Sequence, residues 1–185
     1  MSQAATVEGN ERLRLFLALE LPEPVADALA TWGREHFERG RLVESFHVTL
    51  AFLGSQPRSE LDAIIEALRS AAAAAAPFTL EPLRYRETRS VGMLVLDDPT
   101  GEAGRLAGRL HARLEELGCY RREARPWLPH VTVLRFREKP RLAPPLPDVP
   151  PFAPSGAAAF LSRLHPSGAQ YEILGKVSLE GSQGG

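Results

Sequence analysis

Leucines at 13, 15, 17, 19 and 21 alternate along "RLRLFLALELP" (12–22), with Phe16 and Ala18 between them, and this predicts a strand covered on at least one face and ended by Pro22. In "PEPVADALATWGREHF" (22–37), Val25, Ala26, Leu29 and Trp32 fall at helical spacing, with proline in a permitted first-turn place and Gly33 near the end. "FHVTLAFLG" (46–54) returns to strand pattern and closes at Gly54. "SELDAIIEALRSAAAAAA" (59–76) sets Leu61, Ile64, Ile65 and Leu68 on one helical face, and Ser59 with Asp62 resembles a capping box. "FTLEPLRYRE" (78–87) and "VGMLVLDD" (91–98) then read as a hairpin. A third helix follows with Leu106, Leu110, Leu114 and Leu117 as its buried stripe, and "PHVTVLRF" (129–136) is again a strand. The proline-rich "KPRLAPPLPDVPPFAP" (139–154) cannot pair as a central strand and predicts an extended surface loop. The order ends with a hairpin turning at "HPSG" (165–168).

Strand, helix, strand, helix, hairpin, helix, strand, hairpin is a degenerate twofold repeat. The expected fold is α+β and bilobal, with two antiparallel sheets forming a central cleft and helices packed outside. The expected organisation is one bilobal domain over 12–181, with disordered ends at 1–11 and 182–185. Each half writes the same polar pair into an apolar strand: His47 and Thr49 in the first, His130 and Thr132 in the second.

Composition removes several classes of function. The chain has 185 residues, with apolar and charged fractions ordinary for a soluble protein. No membrane-spanning stretch and no secretory pattern are visible at the start, so a cytoplasmic location is expected. Cys119 is the only cysteine, so neither a disulfide framework nor a cysteine-built metal site is available. It is expected to be a buried small side chain. A net charge of −1 argues against broad, sequence-independent wrapping of nucleic acid, so a polyanion must be held locally. Nearly all the positive charge is arginine, which suits bidentate phosphate contacts and stacking on bases; Lys139 and Lys176 are the only lysines.

Strand geometry explains why the pairs matter. Alternate residues share a face, so His47 and Thr49 lie together and Val48 and Leu50 lie opposite; the same holds for His130 and Thr132 against Val131 and Val133. The apolar faces can pack under helices. The polar faces need water, a partner or a ligand, because an unpaired buried polar group costs about 1 to 3 kcal/mol. Two imidazoles near neutrality can divide the work of an acid and a base across one phosphorus, while hydroxyls hold non-bridging oxygens. A 2′,3′-cyclic phosphodiester suits such a cleft, since attack and departure occur on opposite sides.

His47-Val48-Thr49-Leu50 and His130-Val131-Thr132-Val133 resemble the paired His-x-Thr-x motifs of the two-histidine phosphoesterases. "RLFLALELP", "FHVTLAFLG", "RPWLPHVTVLR" and "GAQYEIL" are similar to the RNA 2′,3′-cyclic phosphodiesterase branch, also called 2′-5′ RNA ligase-like. The resemblance runs from about residue 12 to residue 179 and implies metal-independent hydrolysis of a terminal 2′,3′-cyclic phosphate to a 2′-phosphate, with a weak, reversible 2′-5′ ligation. It implies His47 as proton donor, His130 as proton acceptor, and Thr49 and Thr132 as holders of phosphoryl oxygens. No cofactor or metal is implied. The partners implied are RNA ending in a 2′,3′-cyclic phosphate or small cyclic nucleotides, met by a monomer.

Five residues beyond each histidine stand Phe52 and Arg135, which in the family can bracket the terminal base and help hold phosphate. Strict alternation puts both on the wrong face, so this role requires a bulge or a strand end. For Phe52 a core position competes with it. Arg125, Pro126 and Trp127 are expected to shape the cleft rim, and Tyr171 either reaches the site or packs in the core. His36 and His111 fall in helices and His165 in a turn, so structural or solvated roles are expected of them. A metal-dependent hydrolase would add carboxylates or a His-x-x-x-His helix pattern, and neither accompanies these strands. The alternative from another class is a non-catalytic RNA-end binding protein.

Overall fold

The computed structural model describes residues 11–179. The expected disordered ends therefore lie outside the described residues, apart from Glu11, whose carbonyl accepts from the Arg58 N–H at 2.9 Å.

The first strand, β1 (Arg12–Glu20), is followed by α1 (Glu23–His36), a short β2 (Arg41–Leu42) and β3 (His47–Pro57). A 3-10 turn (Arg58–Glu60) leads into α2 (Leu61–Ala73). Then come the β4 (Glu81–Glu87) and β5 (Val91–Asp97) hairpin, α3 (Glu102–Glu116), β6 (His130–Arg135), and the β7 (Gly156–His165) and β8 (Gly168–Val177) hairpin. Among the described residues the strands are joined in the order β4-β5-β6-β3-β1-β7-β8, with β2 also on β6, and every pairing is antiparallel. The two expected sheets are recognisable as two sets of four strands that meet at one residue pair, Val48 with Val131. That contact makes hydrogen bonding continuous across the molecule. The halves are also interleaved along the chain: β1 and β3 share theirs with β7 and β8 from the other end.

Alternation decides the faces. Leu13, Leu15, Leu17 and Leu19 of β1 join Val48, Leu50, Val131 and the apolar sides of all three helices in one core. Phe16 and Ala18 instead join Ala158 and Phe160 in a small cluster on the opposite face, with Tyr171 against it. The helices thus cover one side of the sheet and leave the other free to line a cleft.

Two local expectations change, and one short strand is added. Ser59 and Asp62 make no capping box, because Ser59 lies inside the 3-10 turn after Pro57 and the N-cap position of α2 falls to Glu60, without a side-chain cap. An N-cap side chain needs an extended backbone that a 3-10 turn does not supply. The proline-rich segment is not purely superficial: Val149 and Phe152 are buried, Phe152 bridges Leu80, and the Trp32 indole donates to the Pro145 carbonyl at 2.8 Å. β2 carries no pattern long enough to be read from sequence, being two residues that find β6 only in the folded chain.

Candidate active site

His47 opens β3 and His130 opens β6, directly beside the pair that joins the halves. In the antiparallel register set by Val48 and Val131, His47 lies across from Thr132 and Thr49 across from His130. The four side chains therefore form a pseudo-twofold square on the cleft face, with the two valines buried beneath it.

Phe52 and Arg135 come to this face because both strands carry a bulge at the same place. Along β1, Ala18 pairs with Thr49 and Leu17 with Ala51, so Leu50 is the extra residue. Along β5, Met93 pairs with Thr132 and Gly92 with Leu134, so Val133 is the extra residue. Each stands three positions beyond its histidine. An added residue reverses the alternation, which carries Phe52 and Arg135 onto the side of the histidines. Phe52 is 49 % exposed, and the Arg14 guanidinium stands 4.8 Å from its ring centre. The core position that competed for this residue is filled by Leu50, Ala51 and Leu53 instead.

A cleft of about 390 Å³ opens over these residues. His47, Thr49, Phe52, Thr132 and Arg135 line it. His130 is not among the lining residues, but it is close enough to His47 to influence its charge. Arg14, Phe16, Arg41, His165 and Tyr171 complete the walls. Arg41 crosses between the halves: it extends from β2 to donate to the Ser167 carbonyl in the β7–β8 turn at 2.6 Å. Sequence reasoning missed Arg14, Arg41 and Phe16 and assigned His165 no role; nothing local to those positions marks them, since they meet only through strand order. Tyr171 does reach the site. Trp127 shapes the rim by donating its indole N–H to the Thr49 carbonyl at 3.0 Å, whereas Arg125 pairs with Glu123 on the surface.

The two histidines have different surroundings. His130 Nδ1 lies 2.8 Å from the Leu128 carbonyl. A carbonyl only accepts, so Nδ1 carries a hydrogen and the neutral ring presents a free Nε2 lone pair. His47 rests on aromatic rings, with Phe16, Tyr171 and Phe160 centred 4.9, 5.5 and 5.9 Å away. Burial there, reinforced by the positive charge of Arg135, pulls its pKa down from 6.5 to about 4. The Ser45 backbone is near enough to favour the protonated ring but short of a well-formed hydrogen bond, so the buried Nδ1 is unpartnered. Cys119 is half-buried with its thiol pKa raised by burial, as suits a packing role. Among the described residues no three His, Cys, Asp or Glu side chains converge as a metal ligand set.

A sequence model of the 2′-5′ RNA ligase superfamily matches residues 21–160. The chain belongs to that superfamily. It is 32 % identical over 192 aligned positions to the RNA 2′,3′-cyclic phosphodiesterase of Thermus thermophilus, covering 93 % of each protein. It is 31 % identical over 143 positions to the protein of the same name from Escherichia coli K12, covering 74 % of this chain and 79 % of that one. Two solved structures share the architecture. TT0787 of T. thermophilus has a TM-score of 0.78 at 32 % identity, and E. coli LigT complexed with 3′-AMP has 0.77 at 26 %; each comparison covers 91 % of this chain and 99 % of the other. Among the described residues no helix is long and apolar enough to cross a membrane.

Proposed function

We propose that this protein hydrolyses RNA 2′,3′-cyclic phosphate termini to 2′-phosphates with two histidines and no metal ion. The observation that carries the reading is the pairing of the two His/Thr strands at Val48 and Val131, which sets His130 beside a cleft lined by His47, Thr49 and Thr132 together with Arg14, Arg41 and Arg135. Thr49 and Thr132 hold the non-bridging oxygens, and Arg135 balances the phosphate charge. Phe52 and Arg135 offer flat surfaces to the terminal base. His130, with its free Nε2, takes a proton from water as that water attacks phosphorus. His47 gives a proton to the departing 3′ oxygen, which leaves the phosphate on the 2′ oxygen. A 5′-hydroxyl in place of water would yield a 2′-5′ linkage by the same proton transfers, weakly and reversibly. The working unit is the bilobal domain of residues 12–181, acting as a monomer in the cytoplasm.

For His47 to donate, it must first be protonated, and its aromatic and cationic surroundings oppose this. A bound phosphodiester supplies negative charge beside Arg135 and raises the imidazole pKa. The lowered pKa also favours a second reading, in which His47 is the base and His130 the acid. A substrate with sulfur in place of the 3′ oxygen separates them, because a thiolate leaves without a proton. If His47 is the acid, His47→Ala regains turnover on the sulfur substrate and His130→Ala does not. Rescue of His130→Ala instead would reverse the assignment.

The reaction itself is tested with purified protein in EDTA and an RNA ending in a 2′,3′-cyclic phosphate. The expected product is the 2′-phosphate, and His47→Ala and His130→Ala should each lower kcat by on the order of 100-fold or more. Binding without turnover, kept in His47→Asn and His130→Gln, would instead mark a protein that only holds RNA ends.

A further inference from the structure

One buried histidine outside the catalytic square bonds the strand that carries His47 and Thr49 from behind. His111 of α3 is 7 % exposed, and its Nε2 lies 2.7 Å from the carbonyl of Leu50, the extra residue of the β3 bulge. The carbonyl can only accept, so Nε2 carries the hydrogen and the tautomer is set by this bond. A bulge leaves its extra residue without the partner that a regular ladder would provide. The matching residue in the other half, Val133, has its carbonyl bonded to the backbone N–H of Val43 at 3.1 Å. At Leu50 a helix side chain takes the place of that backbone donor. Tyr120 packs against the far side of the imidazole, with ring centres 4.8 Å apart, and holds it in this orientation.

We propose that His111 is a positioning residue for recognition of the terminal base: by donating to the Leu50 carbonyl it holds the bulge that turns Phe52 into the cleft. This rests on the reading of Phe52 as a base-stacking surface. Thr49, on the other side of the bulge, is held separately through the Trp127 indole, so the phosphate end of the site does not depend on His111. Loss of the His111 hydrogen bond lets the strand relax toward regular alternation, which would withdraw Phe52 from the base while leaving His47 and Thr49 in place.

The test compares KM and kcat for a nucleoside 2′,3′-cyclic phosphate and for base-free ribose 2′,3′-cyclic phosphate in wild type, Phe52→Ala, His111→Leu and His111→Gln. Phe52→Ala should raise the ratio of the two KM values about tenfold, the scale of one stacked base. His111→Leu should raise the ratio by a similar factor with kcat on the base-free compound within about twofold of wild type, and His111→Gln, which keeps a donor, should recover much of the loss. A variant that shifts only its thermal midpoint, with the KM ratio unchanged while Phe52→Ala moves it, would overturn the proposal. If Phe52→Ala leaves the ratio unchanged, the stacking reading fails, and a fluorine label on the Phe52 ring decides the positioning step alone. Its resonance should move or broaden in His111→Leu; an unchanged resonance would overturn the proposal. Should His111→Leu not fold, His111→Gln and His111→Asn carry the same comparison.

Discussion

At the scale of single residues, His47, the proposed proton donor, is held in its neutral state by its surroundings. Its ring sits against Phe16, Phe160 and Tyr171, and Arg135 faces it across the cleft. Both features favour the neutral imidazole. The consequence for stability has a definite sign: a folded pKa near 4 against an ordinary 6.5 means that the unfolded chain takes up a proton that the folded chain refuses. Stability is full above about pH 6.5 and falls as pH drops towards 4. At roughly 1.4 kcal/mol per pH unit, the loss over that window is on the order of 3 kcal/mol. In urea denaturation between pH 4 and 7, wild type should therefore lose on the order of 3 kcal/mol relative to His47→Gln as the pH falls. A constant gap would show that His47 is not held neutral. Its identity and spacing were legible in the sequence, whereas its rings come from β1, β7 and β8 and carry no signal near residue 47.

The elements explain how a strand can serve a core and a site together. Each His/Thr strand alternates through its motif and then spends two successive residues, Leu50 and Ala51 or Val133 and Leu134, on the buried side. From the sequence, strict alternation put Phe52 and Arg135 on the wrong face and left a bulge or a strand end as the condition for their role; the doubling is that bulge. What patterning did not supply was the set of partners at the break. β3 and β6 diverge after one shared pair, so the Thr49 carbonyl is met by the Trp127 indole and the Leu50 carbonyl by His111. Trp127→Phe keeps the ring but removes the donor. It should cost about 1 to 2 kcal/mol in chemical denaturation and lower kcat on base-bearing and base-free cyclic phosphates alike, since Thr49 loosens in both cases. Unchanged kcat on both would remove Trp127 from the supports of the site.

Across the whole molecule, a chain of net charge −1 gathers Arg14, Arg41 and Arg135 around one cleft. An RNA end bound in the proposed manner would be held locally, and the salt dependence of turnover should be modest. Three phosphate contacts on single-stranded RNA correspond to a slope of about −2 in a plot of log(kcat/KM) against log salt. A slope near zero for an RNA oligonucleotide would mean that these arginines do not meet its phosphates. The halves that bear them are interleaved, with the first strand bound on one side to the third and on the other to the last hairpin, and Arg41 joins the two sides through Ser167. By itself the sequence determined the elements except β2, the apolar and polar faces of the His/Thr strands and the repetition of the motif, because periodicity acts over a few residues. Only the tertiary structure decided that the two sheets meet at Val48 and Val131, that aromatic rings lie under His47, and that Arg14, Arg41, His165 and Tyr171 share its cleft. Those relations depend on which distant strands become neighbours, and that is decided by burying one common core.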